Sequence, residues 1–217
     1  VEPIQGNGGI MVPPPQYYPR LREVLDRHGA LLIADEVQTG FGRTGKSFAM
    51  DHWNVVPDII TGGKALGGGT PTGYFSTTDE IAACYTRPGA STFGGNPVTA
   101  QAGLKFLEIL RRDGLIEHSA TVGERLQNRL KELARECDTI TDVRGRGLMI
   151  GVEIAERASL SAAECTDRIL EGMKDAGYLL GKTGPGRNVL TWMPPLISEA
   201  EELMEAVAAL ENVLGTV

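Results

Sequence analysis

The stretch LLIADEVQTGFGRTG (residues 31–45), followed by PDIITGGKALGGG (residues 57–69), decides how this chain is read. Two short apolar runs each stop at a polar element. Leu31-Leu32-Ile33-Ala34 ends at Asp35-Glu36, and Asp58-Ile59-Ile60-Thr61 runs into Gly62-Gly63-Lys64. Strands buried on both faces of a parallel α/β sheet read as short, continuous hydrophobic runs. Ligands gather beyond the carboxyl ends of such strands. The layout therefore predicts two neighbouring strands that carry one carboxylate, Asp35, and one amine, Lys64, to the same edge of a sheet.

Around this stretch the composition is that of an ordinary globular chain. The 217 residues are 41% hydrophobic and 23% charged, enough to bury a real core. Twenty-one basic against 28 acidic residues leave a formal charge of −7, which argues against nucleic acid as the main partner. No apolar run approaches the ~20 residues that span a bilayer, so no membrane association is expected. The opening VEPIQGNGG has neither a basic start nor an apolar signal core, and a cytoplasmic location is expected. Cys84, Cys137 and Cys165 are scattered and odd in number, which reads as reduced thiols and not a disulfide framework. His28, His52 and His118 are isolated, and no metal site is expected.

The rest of the chain organises around the two strands. Residues 16–28 have helical spacing, with Tyr17, Leu21, Val24 and Leu25 on one face and Gly29 as the stop. Gly73–Thr77 reads as a further strand, and Thr78 as the cap of a helix that starts with Asp79-Glu80. Helices are predicted over Pro97–Arg112 and Leu115–Glu136, the latter with Leu126, Leu130 and Leu133 at core spacing. Thr139–Arg144 and Leu148–Ile154 read as strands around Gly145-Arg146-Gly147. Ser161–Ala176 reads as a helix, Tyr178–Leu180 and Asn188–Trp192 as short strands, and Glu199–Leu214 as a closing helix. The fold class is α/β. Residues 1–110 are expected to be part of a parallel-sheet domain and residues 111–217 a small α+β domain. Two or three strands make a poor sheet, so further strands are expected ahead of Val1.

Gly40-Phe41-Gly42-Arg43-Thr44-Gly45 fits G-x-G-x-x-G, but no helix pattern opens at its third glycine and Asp35-Glu36 would repel a phosphate. Gly63-Lys64 is followed by Ala65, where a phosphate-binding P-loop needs Ser or Thr. Taken singly, Lys64 is a surface lysine and Asp35 a turn acid. Together they meet one chemical requirement, that of pyridoxal phosphate: a lysine to form the imine and an acid facing the pyridine nitrogen, which makes the ring an electron sink.

VEPIQGNGG (1–9), ADEVQTGFGRTG (34–45), PDIITGGKALGGG (57–69), STFGGNP (91–97) and DVRGRGLMIGVEI (142–154) resemble, in order, the motifs of class III (subgroup II) pyridoxal-phosphate aminotransferases. The likeness runs over essentially the whole chain and is nearest to the alanine–glyoxylate and ω-amino-acid branch. It implies the C-terminal half of a fold-type-I transferase, a partial large domain followed by the small one. Lys64 resembles the Schiff-base lysine and proton shuttle, and Asp35 the acid on the pyridine nitrogen. By the same resemblance Val37 packs on the ring, Gln38 lies near the phenolic oxygen and Glu2 joins the polar network. Thr92 reaches the phosphate of a neighbouring subunit, which implies a homodimer or tetramer. Arg43 and Arg144 or Arg146 are read as structural ion-pair residues. The implied activity moves an amino group from an amino acid or amine to a keto acid.

Three departures from the family pattern bear on this. Asn7 stands where many members have Glu, and Thr191 where many have the arginine that grips the substrate carboxylate. A threonine lacks the charge of a bidentate guanidinium, so either Arg187 or another arginine is expected to replace it, or the substrate is an amine or amino acid held differently. The phosphate-binding loop and the ring-stacking aromatic that precede VEPIQG in the family are not in the sequence. Other chemistry on the same fold (phospho-lyase, decarboxylase or racemase) and a non-catalytic fragment acting by association stand as alternatives.

Overall fold

A computed structural model describes residues 1–87 and 89–216, so Pro88 and Val217 lie outside the described residues. The chain divides into two units. The first comprises Val1–Pro3 and Pro13–Ile116, the second Ile4–Val12 and Glu117–Val217.

In the first unit, α1 (Tyr17–His28) stops at Gly29, whose left-handed φ of 62° ends the helix at a residue that tolerates it. Its inward residue is Tyr18, 1% exposed, while Tyr17 and Val24 are open to solvent. The sheet has the order β1 (Ile33–Asp35), β2 (Ile59–Gly63), β3 (Gly73–Thr77). β1 and β2 are parallel, with Ile33 opposite Ile59 and Asp35 opposite Thr61. β3 runs antiparallel to β2, so the sheet is mixed. The link over residues 64–72 is too short for the crossover of about a dozen residues that a parallel neighbour needs.

One face of this sheet is covered. Tyr74 lies across Gly62, where an added Cβ would come 2.3 Å from the ring. Phe41 meets Tyr74, Phe48 and Phe106 edge-on, with centroids 6.0, 5.7 and 6.2 Å away. The other face is open: Leu31, Ile33 and Phe75 are 53, 45 and 65% exposed. The run 31–34, expected to be buried on both sides, is thus buried on one only, because within this unit the aromatic cluster packs against a single face. A short helix α2 (Asp79–Ala82) follows, capped by the Thr78 hydroxyl. Asn96 caps α3 (Pro97–Arg112) by accepting from the Val98 and Thr99 N–H groups at 3.1 Å. α3 approaches the turn 64–67 at Gly103, where a Cβ would lie 3.2 Å from the Leu66 carbonyl.

The second unit contains nearly all of α4 (Leu115–Glu136), then β4 (Ile140–Arg146), β5 (Met149–Ile154), α5 (Ala162–Asp175), β6 (Gly181–Thr183), β7 (Val189–Trp192) and α6 (Ala200–Leu214). Its sheet is antiparallel throughout, in the order β4-β5-β7-β6. Arg146 pairs with Met149, so the hairpin turns on Gly147-Leu148, two residues later than expected. The strand expected at Tyr178–Leu180 is displaced to Gly181–Thr183. Gly177, with φ 91°, and the Tyr178 N–H, bonded to Met173 O at 2.8 Å, instead close the end of α5. α4 buries Val122, Leu126, Leu130 and Leu133. It lies on the β4–β5 hairpin through a stripe one turn apart: Ser119 Oγ accepts the Leu148 N–H (3.3 Å) and Gln127 Nε2 donates to Gly145 O (3.1 Å). Gly123 sits between them.

Residues 4–12 form a small loop on this second sheet, closed by Gln5 and Met11, which exchange backbone hydrogen bonds of 3.1 Å. Arg144 Nε donates to Gly9 O at 2.8 Å while its Nη1 bonds Asp142 and Glu153. Gly184 N–H reaches Asn7 O at 3.2 Å and the Thr183 hydroxyl reaches Gly6 O at 3.1 Å. Gly151 leaves room for Ile10, which is 1% exposed: a Cβ there would lie 3.0 Å from the Ile10 Cβ. No helix among the described residues is long and apolar enough to cross a membrane.

Candidate active site

The candidate site is the carboxyl edge of the β1–β2 pair. The parallel pairing puts the exits of both strands on one side of the sheet, as the two apolar runs predicted. Asp35 is the last residue of β1. Its N–H donates to Val1 O at 2.7 Å, and its exposed carboxylate accepts the Val37 N–H at 3.1 Å. Lys64 follows β2 directly and opens the turn Lys64–Gly67 with its side chain exposed. Its φ of 45° is left-handed, a conformation that costs a non-glycine residue roughly 1–2 kcal/mol and that collects at functional sites. Val37 closes the gap between the two strand ends. A Cβ on Gly63, the residue before Lys64, would lie 4.0 Å from Val37 Cγ1 and 3.0 Å from Thr72 O. Gln38 is half-buried in the same turn.

The remaining candidate residues fall in different places. The Glu2 carbonyl accepts the Tyr18 hydroxyl at 2.9 Å, next to the Val1 carbonyl that pairs with Asp35. Thr92 lies exposed in the loop before α3. Arg187 belongs to the second unit, in the β6–β7 turn, where its φ is 51° and its N–H donates to Gly184 O at 2.9 Å. That turn also holds the Asn7 carbonyl, so Asn7 and Arg187 are gathered at one end of the second sheet. Thr191, in β7, has a buried hydroxyl that makes no hydrogen bond among the described residues. Arg144 is a structural ion-pair residue, as expected, with carboxylates at 2.7 and 2.6 Å. Arg43 is half-buried, and desolvation pushes its guanidinium down to about 10.

One residue beside the site escaped the sequence reading. Glu36 is fully buried, its carboxylate accepting from the Thr39 hydroxyl, Ala49 N–H (3.0 Å) and Met50 N–H (2.9 Å). Burial pushes its carboxyl above the usual range, against these three donors. The signal was present in the strand period. Alternate residues face the same way, and Leu32, Ala34 and Glu36 form the buried set while Leu31, Ile33 and Asp35 form the exposed one.

In chemical terms the edge offers an amine able to condense with an aldehyde. Beside it stand a carboxylate able to pair with a protonated ring nitrogen and a branched apolar side chain.

Known proteins bear directly on this arrangement. An alanine–glyoxylate aminotransferase 2 homologue from Arabidopsis thaliana is 43% identical over 212 residues, which is 95% of this chain and 44% of that protein. The structure of an amine transaminase from an uncultivated Pseudomonas species, in a PLP-bound form, superposes with a TM-score of 0.91 and 36% identity. It is matched over 99% of this chain and 51% of that one. A phospholyase from Arthrobacter, in complex with phosphoethanolamine, gives a TM-score of 0.93 at 33% identity, over 100% of this chain and 52% of that one. The chain thus spans about half the length of the proteins it matches. Residues 1–214 match the family described as aminotransferase class III. With the fold, the strand-end lysine and this match in agreement, the chain belongs to the class III aminotransferases.

Proposed function

We propose that the chain carries the ring end of a pyridoxal phosphate site, and that the protein it serves moves an amino group from an amino acid or amine to a keto acid. The observation that carries this is the exit of Lys64 and Asp35 from paired parallel strands, with Val37 against Gly63. These residue types fit the cofactor's ring: an amine for the aldehyde, a carboxylate for the pyridine nitrogen, and an apolar branch for one ring face. When bound, the cofactor supplies an electron sink for the substrate's α-carbon.

Lys64 Nζ is the covalent anchor. With the cofactor bound and Nζ freed by an incoming amine, Nζ would be the group that holds the substrate's α-proton and returns it at the neighbouring carbon. Asp35 would pair with the protonated ring nitrogen, and Gln38 would hold the phenolic-oxygen side of the ring. Glu2 contributes to the polar network, and Thr92 serves the phosphate in a neighbouring subunit of a cytoplasmic homodimer or tetramer. Thr191 and Asn7 leave the substrate carboxylate without its usual clamp; Arg187, another arginine or a different mode of holding the substrate takes that part.

The test uses the intact native protein incubated with pyridoxal phosphate and reduced with borohydride. The expected result is a phosphopyridoxyl label on Lys64, absent in Lys64→Ala. An amino donor should shift the cofactor absorbance and a keto acid restore it. A label on any other lysine, or no restoration, overturns the reading. The likeness to a phospholyase supports a second reading. In that case phosphoethanolamine releases inorganic phosphate without need of a keto acid.

A further inference from the structure

We infer that Glu36 is a positioning residue for Asp35, holding it where it meets the ring nitrogen of the cofactor; this rests on the reading of Asp35 given above. Asp35 has little of its own to orient it. It is exposed, and its side chain accepts one hydrogen bond, from the Val37 N–H two residues on. The direction of its carboxylate is therefore set by the backbone of residues 35–37. Glu36 is the fixed point of that backbone. Its N–H continues the β1–β2 ladder to Thr61 O at 2.9 Å, and its carbonyl accepts the Gly40 N–H at 2.9 Å.

Its carboxylate reaches across the following loop. Oε2 accepts from the Thr39 hydroxyl and Ala49 N–H, and Oε1 accepts from Met50 N–H. The turn 36–40 is tight: a Cβ on Gly40 would come 2.9 Å from Glu36 O. One fully buried side chain thus ties the strand exit, the tight turn and the start of the turn 49–53 into one unit. Asp35 stands on one side of it and Val37 on the other. A carboxylate needs two acceptor oxygens to do this. Glutamine offers one and would point an NH₂ at a backbone donor.

A purely structural Glu36 and a positioning Glu36 separate in one measurement. Apo forms of the intact native protein (wild type, Asp35→Ala, Glu36→Gln and Thr39→Val) are titrated with pyridoxal phosphate and with its analogue in which CH replaces the ring nitrogen. Apo thermal stability is recorded alongside. Asp35→Ala should weaken pyridoxal phosphate selectively. Glu36→Gln should show the same selectivity, losing about tenfold for pyridoxal phosphate while the analogue changes less than about twofold. Thr39→Val, which removes one hydrogen bond and keeps the charge, should lose about threefold with the same preference.

Equal loss of both ligands in Glu36→Gln, or loss of neither, overturns the inference. If that variant does not fold, Thr39→Val decides on the same criterion. If Asp35→Ala itself shows no selectivity, the reading of Asp35 fails first, and the inference falls with it.

Discussion

Replacing Gly123 with alanine tests how tightly α4 is held against the β4–β5 hairpin. In an exposed helix interior the change should stabilise by about 1 kcal/mol, since Ala is the better helix former. Here the added Cβ would fall 2.1 Å from Gly147 O and 2.2 Å from Gly147 C, where real Cβ atoms keep at least 3.0 Å. The hairpin must therefore retreat by about 1 Å, and overpacking of that kind costs typically 1–3 kcal/mol. Retreat is resisted one turn away on each side, by the 3.3 Å bond of Leu148 N–H to Ser119 and the 3.1 Å bond of Gln127 to Gly145 O. Ser119 and Leu148 are fully buried, so stretching the bond there costs up to about 1 kcal/mol more. Setting these losses against the helix gain, the net loss is about 2 kcal/mol, or on the order of 10 °C in Tm for a unit of this size. Denaturant and thermal unfolding of the wild type and Gly123→Ala measure it, with Gln127→Ala reporting the loss of one flanking bond alone. A variant as stable as the wild type, or more so, would show that propensity outweighs the contact and that the docking of α4 is loose.

Further predictions concern residues of both units. Asp58 accepts the Leu32 N–H at 2.6 Å and Arg22 Nη1 at 2.7 Å. Burial pushes its carboxyl up, but these bonds outweigh it and hold it below the usual range. Its contribution is therefore complete above about pH 4, the ordinary aspartate value, and is lost as pH falls through the lower folded value. Asp58→Asn should cost about 1–3 kcal/mol at neutral pH and flatten the acid limb of the stability–pH curve; an unchanged limb counts against the assignment. Tyr18→Phe keeps the ring beside Trp53 (4.9 Å) but removes the hydroxyl bonded to the Glu2 and Pro3 carbonyls, and chemical denaturation should read a loss of about 1 kcal/mol. Ser161→Ala breaks the reciprocal cap with Glu164 at the start of α5 and should cost about 1 kcal/mol, seen as a lower urea midpoint at constant slope.

What was legible in the sequence was what local chemistry determines. The apolar runs ending at Asp35 and Lys64 gave the paired strands. Gly29 marked a helix end, Pro97 and Thr78 helix starts, and the leucine spacing of 115–136 the buried face of α4. What was not legible depends on length and on partners distant in sequence. The direction of β3 follows from a link too short to cross over. The open face at Ile33 depends on where Phe41, Tyr74 and Phe106 gather. β6 was misplaced because Tyr178 closes α5, a bond of one backbone N–H that composition does not reveal. At the site, Lys64 and Asp35 were visible as chemistry, whereas Glu36 was passed over because it was read as part of an acidic pair and not by the parity of its strand.

The loop 4–12 has a consequence for how the second unit is put together. Its sheet is contiguous in the chain, but the unit around it is not. Arg144 finds Gly9 across 135 positions, and the Thr183 hydroxyl finds Gly6 across 177. A fragment beginning at Glu117 would present Gly151 as a bare groove in place of the Ile10 seat, and would leave the Arg144 Nε donor facing solvent. Closing such long loops carries an entropic cost that is recovered only late in assembly. The second unit is therefore fully packed only when residues 4–12 have docked on it. A synthetic peptide of residues 4–12, added to the isolated 117–217 fragment, is in effect its missing strap.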